Sequence, residues 1–363
     1  MKKTIKLFDP SIDSLEEKAV TKTLQSRFWA SGAGTGQVYQ FEKKLKNYVN
    51  CKGCVAVNSG TAALHLALSL IDVRKKEVIL PSLSFVSTAH AIIYNGGIPK
   101  FVDIEEDRLC LDPKLVDEQI SNDSTLLLPV HFGGMATKMD EILKISKKYN
   151  CKIIEDAAHA IGTSYKNKKI GSHSFAVCFS FHPVKNLAMP TGGLIALNGS
   201  DYKKNENFLK IRRWCGISNR KETSYDVTEL GWNMYMNEFS ASIGLAQLSK
   251  LDKLNKKRKN TAKKFFNEIN LENKMPFDKD CSYHLYWIRV KNRNHFMKKM
   301  KEFGIETGIH YKPIHEMSFY KNKKLKNLEI TEKVSKEIVS IPIHPNLTEN
   351  EINYIIQCIN KIS

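Results

Sequence analysis

Long hydrophobic runs are absent from this 363-residue sequence, and their absence excludes one class of protein at the outset. No apolar stretch approaches the ~18 residues that a membrane-spanning helix needs, so an integral membrane protein is not expected. The first residues carry two lysines but no apolar core before Asp9 and Pro10, so we expect no secretory signal and a cytoplasmic location. Aromatic residues at 9% and charged residues at 26% are ordinary globular values, which excludes disordered and fibrous classes.

Arginine is scarce although the chain is strongly basic. The formal net charge is +18, but only nine of the 56 basic residues are arginines, and the lysines occur in pairs along the whole chain. A nucleic-acid-binding face is expected to concentrate its charge and to use arginine for bidentate contacts to phosphates and bases. We therefore interpret the excess charge as a lysine-rich solvated surface and predict no nucleic-acid partner.

Cysteine is present without the pattern of a disulfide scaffold or a metal site. Eight cysteines in 363 residues do not suggest a disulfide-stabilised chain, a class dominated by short secreted proteins. Cys51 and Cys54 form one C-x-x-C motif, but no second pair or ligand histidine follows at zinc-finger spacing. We predict buried or half-buried thiols at the start of a strand, and no metal site.

Short apolar runs alternate with helical patterns over residues 54–198, which predicts an α/β fold with a large, mostly parallel sheet. Several runs are continuously apolar, as expected for strands that are covered on both faces. Helices are predicted to begin near Thr61, Ser84, Lys114 and Thr137. The seven predicted strands are residues 55–59, 78–82, 100–104, 125–131, 152–157, 176–181 and 194–198.

The character of the sequence changes after Tyr235. A long helix is predicted over residues 236–267, followed by a strand at 283–290, an amphipathic helix at 295–303 and a final helix at 348–359. This order indicates a smaller α+β domain at the C-terminal end. We predict a boundary near residue 250, with a large domain over 1–250 and a small domain over 251–363.

Two segments of the predicted sheet carry groups suited to binding a charged ligand. In VAVNSGTAALHLAL a strand ends at a Ser-Gly-Thr turn, and the helix that follows presents its first amides beside the hydroxyls of Ser59 and Thr61, which suits a phosphate but also an ordinary helix cap. In KIIEDAAHAIG, Glu155 and Asp156 end an apolar strand, and His159 follows. Open α/β sheets bind ligands at this edge, where a carboxylate can hold a cationic ring nitrogen.

A third segment, FSFHPVKNLAMPTGG, carries a candidate nucleophile. An apolar strand holds Ser180 and leads to Lys185 in a loop that closes with Pro190 and two glycines. A lysine just beyond a buried strand is a candidate for Schiff-base chemistry because desolvation lowers the pKa of its amine. Since most of the many lysines must be surface residues, the surrounding motifs have to support this assignment.

The ordered motifs resemble the DegT/DnrJ/StrS family of pyridoxal-phosphate-dependent nucleotide-sugar aminotransferases, which have the fold type I of the aspartate aminotransferase superfamily. The resemblance covers essentially the whole chain. Its motifs are FWASGAGTGQVYQFEKKL at 28–45, SGTAAL at 59–64, PSLSFVSTAHAI at 81–92, EDAAHAIG at 155–162, SFHPVK at 180–185, ELGWNMYMNEFSASIGLAQL at 229–248, GIHYKPIH at 308–315 and SIPIHPNLTENE at 340–351.

The resemblance implies roles for residues around the cofactor ring. Lys185 would bind pyridoxal phosphate covalently and then carry protons between the donor and the cofactor. Asp156 would pair with the protonated ring nitrogen and keep the ring an electron sink. Phe85 would stack on the face of the ring, and His159 would lie near its hydroxyl group.

The resemblance also implies a phosphate site that is shared between two subunits. Gly60, Thr61 and Ser180 would hold the cofactor phosphate, joined by Asn233 from a second chain. A homodimer would then be part of the active site.

The substrates implied are a nucleotide-linked keto sugar and L-glutamate as the amino donor. His182 in SFHPVK is more similar to members that aminate a 4-keto-6-deoxy sugar on UDP than to 3-keto members, which tend to carry an aromatic residue there. His310, Tyr311 and His315 would line the sugar or nucleotide side, and a purely structural loop is an equally weighted alternative for these three.

Two departures from the family pattern and two rival functions remain open. Thr191 stands where relatives usually have an acid after the lysine, and Tyr235 stands where arginine is usual, so substrate or subunit contacts at these two positions need not follow the family pattern. Amination of a 3-keto, dTDP-linked or GDP-linked sugar is an alternative substrate assignment. A pyridoxamine-dependent sugar dehydratase and a non-catalytic regulatory protein on the same fold are the rivals. The presence of Lys185 and the lack of a clustered set of cysteines near the C-terminal end argue against the dehydratase. The set of Lys185, Asp156, Ser180 and Asn233 argues against the regulatory protein.

Overall fold

The large sheet predicted from the apolar runs is present in the computed structural model, which describes residues 4–321 and 328–362. The strands are β1 (Gly53–Val57), β2 (Glu77–Pro81), β3 (Ile98–Val102), β4 (Ser124–Leu127), β5 (Lys152–Asp156), β6 (Ser164–Tyr165), β7 (Lys168–Lys169), β8 (Ala176–Ser180), β9 (Gly193–Leu197), β10 (Ile217–Lys221), β11 (Ser224–Val227), β12 (Tyr286–Arg289) and β13 (Ile338–Ile341).

Seven of these strands form one sheet in the order β1-β9-β8-β5-β4-β2-β3. Neighbours from β8 to β3 pair in parallel, whereas β9 is antiparallel to both β8 and β1. The α/β class and the mostly parallel sheet are therefore confirmed. β4 ends earlier than predicted, and beyond it only an isolated bridge from Val130 to Asp156 continues the pairing.

Eleven helices of the described residues accompany the strands, and none of them is both long and apolar enough to cross a lipid bilayer. They are α1 (Ser14–Ser26), α2 (Gly36–Val49), α3 (Gly60–Leu68), α4 (Ser87–Tyr94), α5 (Pro113–Gln119), α6 (Met139–Tyr149), α7 (Tyr202–Arg212), α8 (Glu238–Glu268), α9 (Arg293–Glu302), α10 (Glu329–Glu337) and α11 (Glu349–Ile362).

Both faces of the large sheet are buried, which explains why its strands are continuously apolar. Ile153 of β5 packs in a cluster with residues of α2, α6 and α8, while the next residue, Ile154, packs in a cluster with residues of α3 and α4. Side chains alternate between the faces of a strand, so a strand covered on both sides needs apolar residues at consecutive positions.

A third apolar cluster joins the C-terminal elements to the first described residues. It contains residues of β12, β13, α9 and α11 together with Ile5. The helix α8 contributes to two clusters: Leu251 packs with the large sheet, and Phe265 packs with the C-terminal elements. Its bounds agree closely with the predicted helix at 236–267.

The two cysteines of the C-x-x-C motif are buried and unbridged at the start of β1. The Sγ atom of Cys51 donates to the carbonyl of Gly53 at 3.0 Å, while Cys54 packs in the apolar cluster of the sheet. Across residues 4–321 and 328–362, no group of three or more His, Cys, Asp or Glu side chains is arranged to hold a metal ion.

Candidate active site

A cavity of about 360 Å³ lies where β5 and β8 end and where α3 and α4 begin. β5 and β8 are adjacent, so the two segments that carry Asp156 and Lys185 meet at one edge of the sheet. This is the edge at which open α/β sheets bind ligands. The sequence-predicted residues that line the cavity are Gly60, Thr61, Phe85, Asp156, His159, Ser180, His182, Lys185 and Tyr311.

One end of the cavity is formed by the start of α3. Ser59 is the helix N-cap, and its Oγ atom accepts a hydrogen bond from the amide of Ala62 at 3.1 Å. The amides of Gly60 and Thr61 belong to the first turn, where a helix supplies no carbonyl partner. A Cβ atom on Gly60 would lie 2.6 Å from the Cβ atom of Ser180, so glycine is required for this close approach. The arrangement is suited to an anion such as a phosphate.

A buried carboxylate faces the middle of the cavity. The Oδ2 atom of Asp156 accepts from the hydroxyl of Thr88 at 2.8 Å, and its Oδ1 atom accepts from the amide of Ala158 at 3.1 Å. Burial raises the pKa of Asp156, while these hydrogen bonds and the nearby Lys185 oppose the rise. A carboxylate that is held in this orientation can form an ion pair with a cationic nitrogen.

The amine of Lys185 lies in the same cavity. The backbone amide of Lys185 donates to the carbonyl of His182 at 2.8 Å, which fixes the start of the loop after β8. Its Nζ atom is 3.3 Å from Nε2 of His284. Burial lowers the pKa of Lys185 to about 8, and the negative charge of Asp156 opposes the shift. A useful fraction of the amine is therefore unprotonated near neutral pH.

Two histidine rings pack against each other at a tilt close to the lysine. The Nδ1 atom of His159 accepts from the amide of Gly133 at 3.2 Å, so the proton of the neutral ring is on Nε2, which is 3.1 Å from the hydroxyl of Tyr311. The ring centroids of His159 and His284 are 4.4 Å apart. Burial is the main cause that lowers the pKa of both rings well below the usual range. Both histidines therefore remain neutral at physiological pH.

The mouth of the cavity carries an exposed aromatic ring and a histidine. The side chain of Phe85 is 55% exposed, and its ring centroid is 6.0 Å from that of Tyr311. His182 is exposed beside it. Thr191, at the position where an acid is usual, lines the cavity and donates its hydroxyl to the carbonyl of Asn58. This contact ties the loop after Lys185 to the end of β1.

Three predicted site residues do not line this cavity in the described part of the chain. Asn233 is exposed. The Nδ1 atom of His310 is 2.9 Å from the hydroxyl of Ser340, and the Nδ1 atom of His315 is 2.7 Å from the hydroxyl of Ser82. These two histidines hold the segment that carries Tyr311 against β13 and the end of β2.

Sequence reasoning missed two residues that contact the central groups. Thr88 orients Asp156, and His284 contacts the amine of Lys185. Thr88 lies in the predicted helix that follows PSLSF, and His284 is the single histidine of the apolar run YHLYWIRV. A lone polar residue in an apolar run was the available signal, but nothing local indicates which distant group it contacts.

Comparison with known proteins identifies a family. The model of the DegT/DnrJ/EryC1/StrS aminotransferase family matches residues 10–360. The chain is 32% identical over 374 residues to the spore coat polysaccharide biosynthesis protein SpsC of Bacillus subtilis, covering 97% of this chain and 95% of that protein.

Solved structures give the same result. The putative sugar aminotransferase Spr1654 of Streptococcus pneumoniae, in its PMP-form, superposes with a TM-score of 0.93 at 26% identity, covering 99% of this chain and 97% of that one. PseC of Helicobacter pylori, an aminotransferase of pseudoaminic acid biosynthesis, also has a TM-score of 0.93 at 26% identity, covering 99% of each chain. The PLP-form of the Streptococcus protein superposes with a TM-score of 0.92.

Proposed function

The chain belongs to the DegT/DnrJ/EryC1/StrS aminotransferase family and is a PLP-dependent sugar aminotransferase, and we propose that it aminates a UDP-linked 4-keto-6-deoxyhexose with L-glutamate as donor. The proposal depends mainly on one observation, which is that Lys185, Asp156 and the start of α3 line the same cavity. Similarity to a spore coat polysaccharide biosynthesis protein supports a role in making a surface glycan.

The residues around the cavity fit pyridoxal phosphate. The absence of a side chain at Gly60 leaves the first amides of α3 open beside Ser180, which suits the phosphate. Asp156 suits the ring nitrogen, and its contact with Thr88 fixes its orientation. When bound, the cofactor withdraws electrons from the carbon that carries the amine, which makes a C–H bond there acidic.

Lys185 is the group that moves the proton. Its unprotonated amine would accept a proton from the donor carbon and deliver it to the cofactor carbon that is attached to the same nitrogen, acting first as base and then as acid. His284, which stays neutral, can hold the amine between these transfers because its Nε2 atom accepts a hydrogen bond from Nζ. The same residues act in the reverse order when the keto sugar is the substrate.

His159 and Tyr311 form a relay toward the ring hydroxyl. Since Nε2 of His159 donates to the hydroxyl of Tyr311, the proton of that hydroxyl is free to be donated into the cavity. Phe85 would cover the ring, and His182 at the mouth would contact the sugar. The histidine at this position supports a 4-keto sugar.

The proposed assembly is a cytoplasmic homodimer in which each chain completes its partner's phosphate site. Asn233 is exposed and lies outside its own cavity, which supports a role in a second chain. Mixed Lys185→Ala and Asn233→Ala dimers test this, because one site of each mixed dimer would carry both native residues. Random mixing should restore about a quarter of native activity, whereas no restoration would contradict a shared site.

The substrate assignment is tested by offering the purified enzyme UDP-, dTDP- and GDP-linked 3-keto and 4-keto sugars with L-glutamate and detecting products by mass spectrometry. We expect amination of the UDP-linked 4-keto sugar, with Lys185→Ala inactive and the exposed control Lys203→Ala fully active. Preference for a 3-keto or dTDP-linked sugar would contradict the substrate assignment. Loss of water in place of gain of an amine would indicate a dehydratase.

A further inference from the structure

A second, much smaller cavity shares Lys185 with the active site. Its volume is about 10 Å³, which is enough for one water molecule or one ion of similar size. It is lined by five separate parts of the chain, which are the N-terminal segment 7–10, residues 183–185, Arg258 of α8, His284 and residues 343–344.

Arg258 is a buried cation that forms no ion pair in the described residues. The residue is 6% exposed, and its Nη1 atom has no hydrogen-bond partner. Arg213 is also buried, but it is paired with Glu42, with an N–O distance of 2.6 Å. Burial lowers the pKa of Arg258 to about 9, so its guanidinium is still charged at neutral pH. Buried charges are normally paired because desolvation without a partner is costly.

Two histidines that line the cavity, His284 and His344, each have a ring nitrogen without a hydrogen-bond partner. Nε2 of His284 accepts from Lys185, so its proton is on Nδ1, and that atom has no partner. Nε2 of His344 is 3.1 Å from the carbonyl of Lys6, and its Nδ1 atom is also buried without a partner. The lining thus contains three orphaned nitrogen atoms, of which two, on Arg258 and His284, are hydrogen-bond donors.

The carboxylate nearest to the cavity is engaged elsewhere. Asp9 lines the cavity, but its Oδ2 atom accepts from Nδ2 of Asn346 at 2.7 Å, and its Oδ1 atom is 3.9 Å from the amine of Lys6. No ion pair joins Asp9 to Arg258 within residues 4–321 and 328–362. Arg258 therefore forms no ion pair of its own in the described part of the chain, although Asp9 lies on the same cavity.

We propose that this cavity is a binding site for a monatomic anion, chloride in solution, held by the guanidinium of Arg258 and the Nδ1–H group of His284. A water molecule could satisfy the donors but could not balance the charge. The volume of the cavity favours a halide over a carboxylate group. An anion here also lies beside Lys185, where its charge favours the protonated amine.

Thermal unfolding of the PLP-saturated enzyme tests the site without using turnover. The protein is melted in sodium chloride and in sodium gluconate at equal ionic strength, because gluconate is too large for the cavity. We expect a melting temperature about 2–4 °C higher in 100 mM chloride than in gluconate. The difference should persist in Lys263→Met, which removes an exposed cation from the same helix, and should vanish in Arg258→Met.

Three results would overturn the proposal. The first is a native protein whose melting temperature does not respond to chloride, since water alone would then occupy the cavity. The second is an Arg258→Met protein that keeps the chloride response. The third is stabilisation by formate but not by chloride, which would assign the cavity to carboxylates such as those of the amino donor.

Crystals soaked in bromide test the location directly and do not depend on a variant that folds. We expect an anomalous peak between Arg258 and His284. If bromide occupies sites on the surface of the same crystal but gives no peak here, the proposal is overturned. A failure of the proposed sugar specificity leaves both measurements unaffected.

Discussion

The depressed pKa of Lys185 makes a quantitative prediction about how fast the enzyme captures its cofactor. Only the unprotonated amine can attack the aldehyde of pyridoxal phosphate. Burial lowers the pKa of this amine to about 8, against the opposing charge of Asp156. The capture rate should therefore rise with pH and reach half its maximum near pH 8, instead of near the value of an ordinary lysine.

The size of the effect follows from the fraction of free amine. At pH 7.5 about a quarter of the Lys185 side chains would be unprotonated, compared with about a thousandth for an ordinary lysine. If the intrinsic reactivities are equal, Lys185 should react about 200-fold faster than a surface lysine at this pH. The direction is fixed by burial, because desolvation disfavours the charged form of a lysine.

Stopped-flow absorbance measures this rate. Cofactor-free enzyme is mixed with pyridoxal phosphate between pH 6 and 10 in gluconate buffers, and the band near roughly 400–430 nm is followed. The Lys185→Ala enzyme gives the slow rate at which other lysines react, and this rate is subtracted from the rate of the native enzyme. A midpoint near pH 10, or a native rate equal to that of Lys185→Ala, would refute the reasoning. Chloride at the site beside Arg258 should move the midpoint upward.

Three further predictions concern the cofactor site and the fold. Gly60→Ala should weaken pyridoxal phosphate binding at least about 10-fold, because its Cβ atom would lie 2.6 Å from that of Ser180; equilibrium titration checks this, and an unchanged affinity would contradict it. Asp156→Asn should retain the cofactor but lose at least about 100-fold in kcat, and near-native turnover would remove its assigned role. Arg213→Met should lower the free energy of unfolding by about 3–5 kcal/mol in urea, because Glu42 is left buried and unpaired. Adding Glu42→Gln should recover part of that loss, and no recovery would indicate that the charge pair is not the cause.

Much of the fold follows from local patterns. The short apolar runs predicted all seven strands of the large sheet, and several of them are continuously apolar because a strand covered on both faces needs apolar residues at consecutive positions. The helix α8 was predicted within a few residues at each end. The reversed direction of β9 was not predicted, since apolar composition does not distinguish a parallel from an antiparallel neighbour.

The candidate site was predictable in part. Asp156 and Lys185 were found because each follows a buried strand and belongs to a motif. Thr88 and His284 were missed because their contacts join segments far apart in the chain, 68 and 99 residues away. Arg258 is the only arginine of its helix, but being an arginine among lysines does not reveal that its side chain is buried without an ion pair.

What the sequence by itself determined is the class of fold, the family and the identity of the central lysine and carboxylate, because these depend on periodicity and on residues in fixed local order. Tertiary structure alone decided which side chains meet. It brought Lys185 into one cavity with Asp156 and into contact with His284, and it buried Arg258 without an ion pair. Burial and distance determine the pKa of a buried amine and the pairing of a buried guanidinium, and both arise only when distant segments pack together.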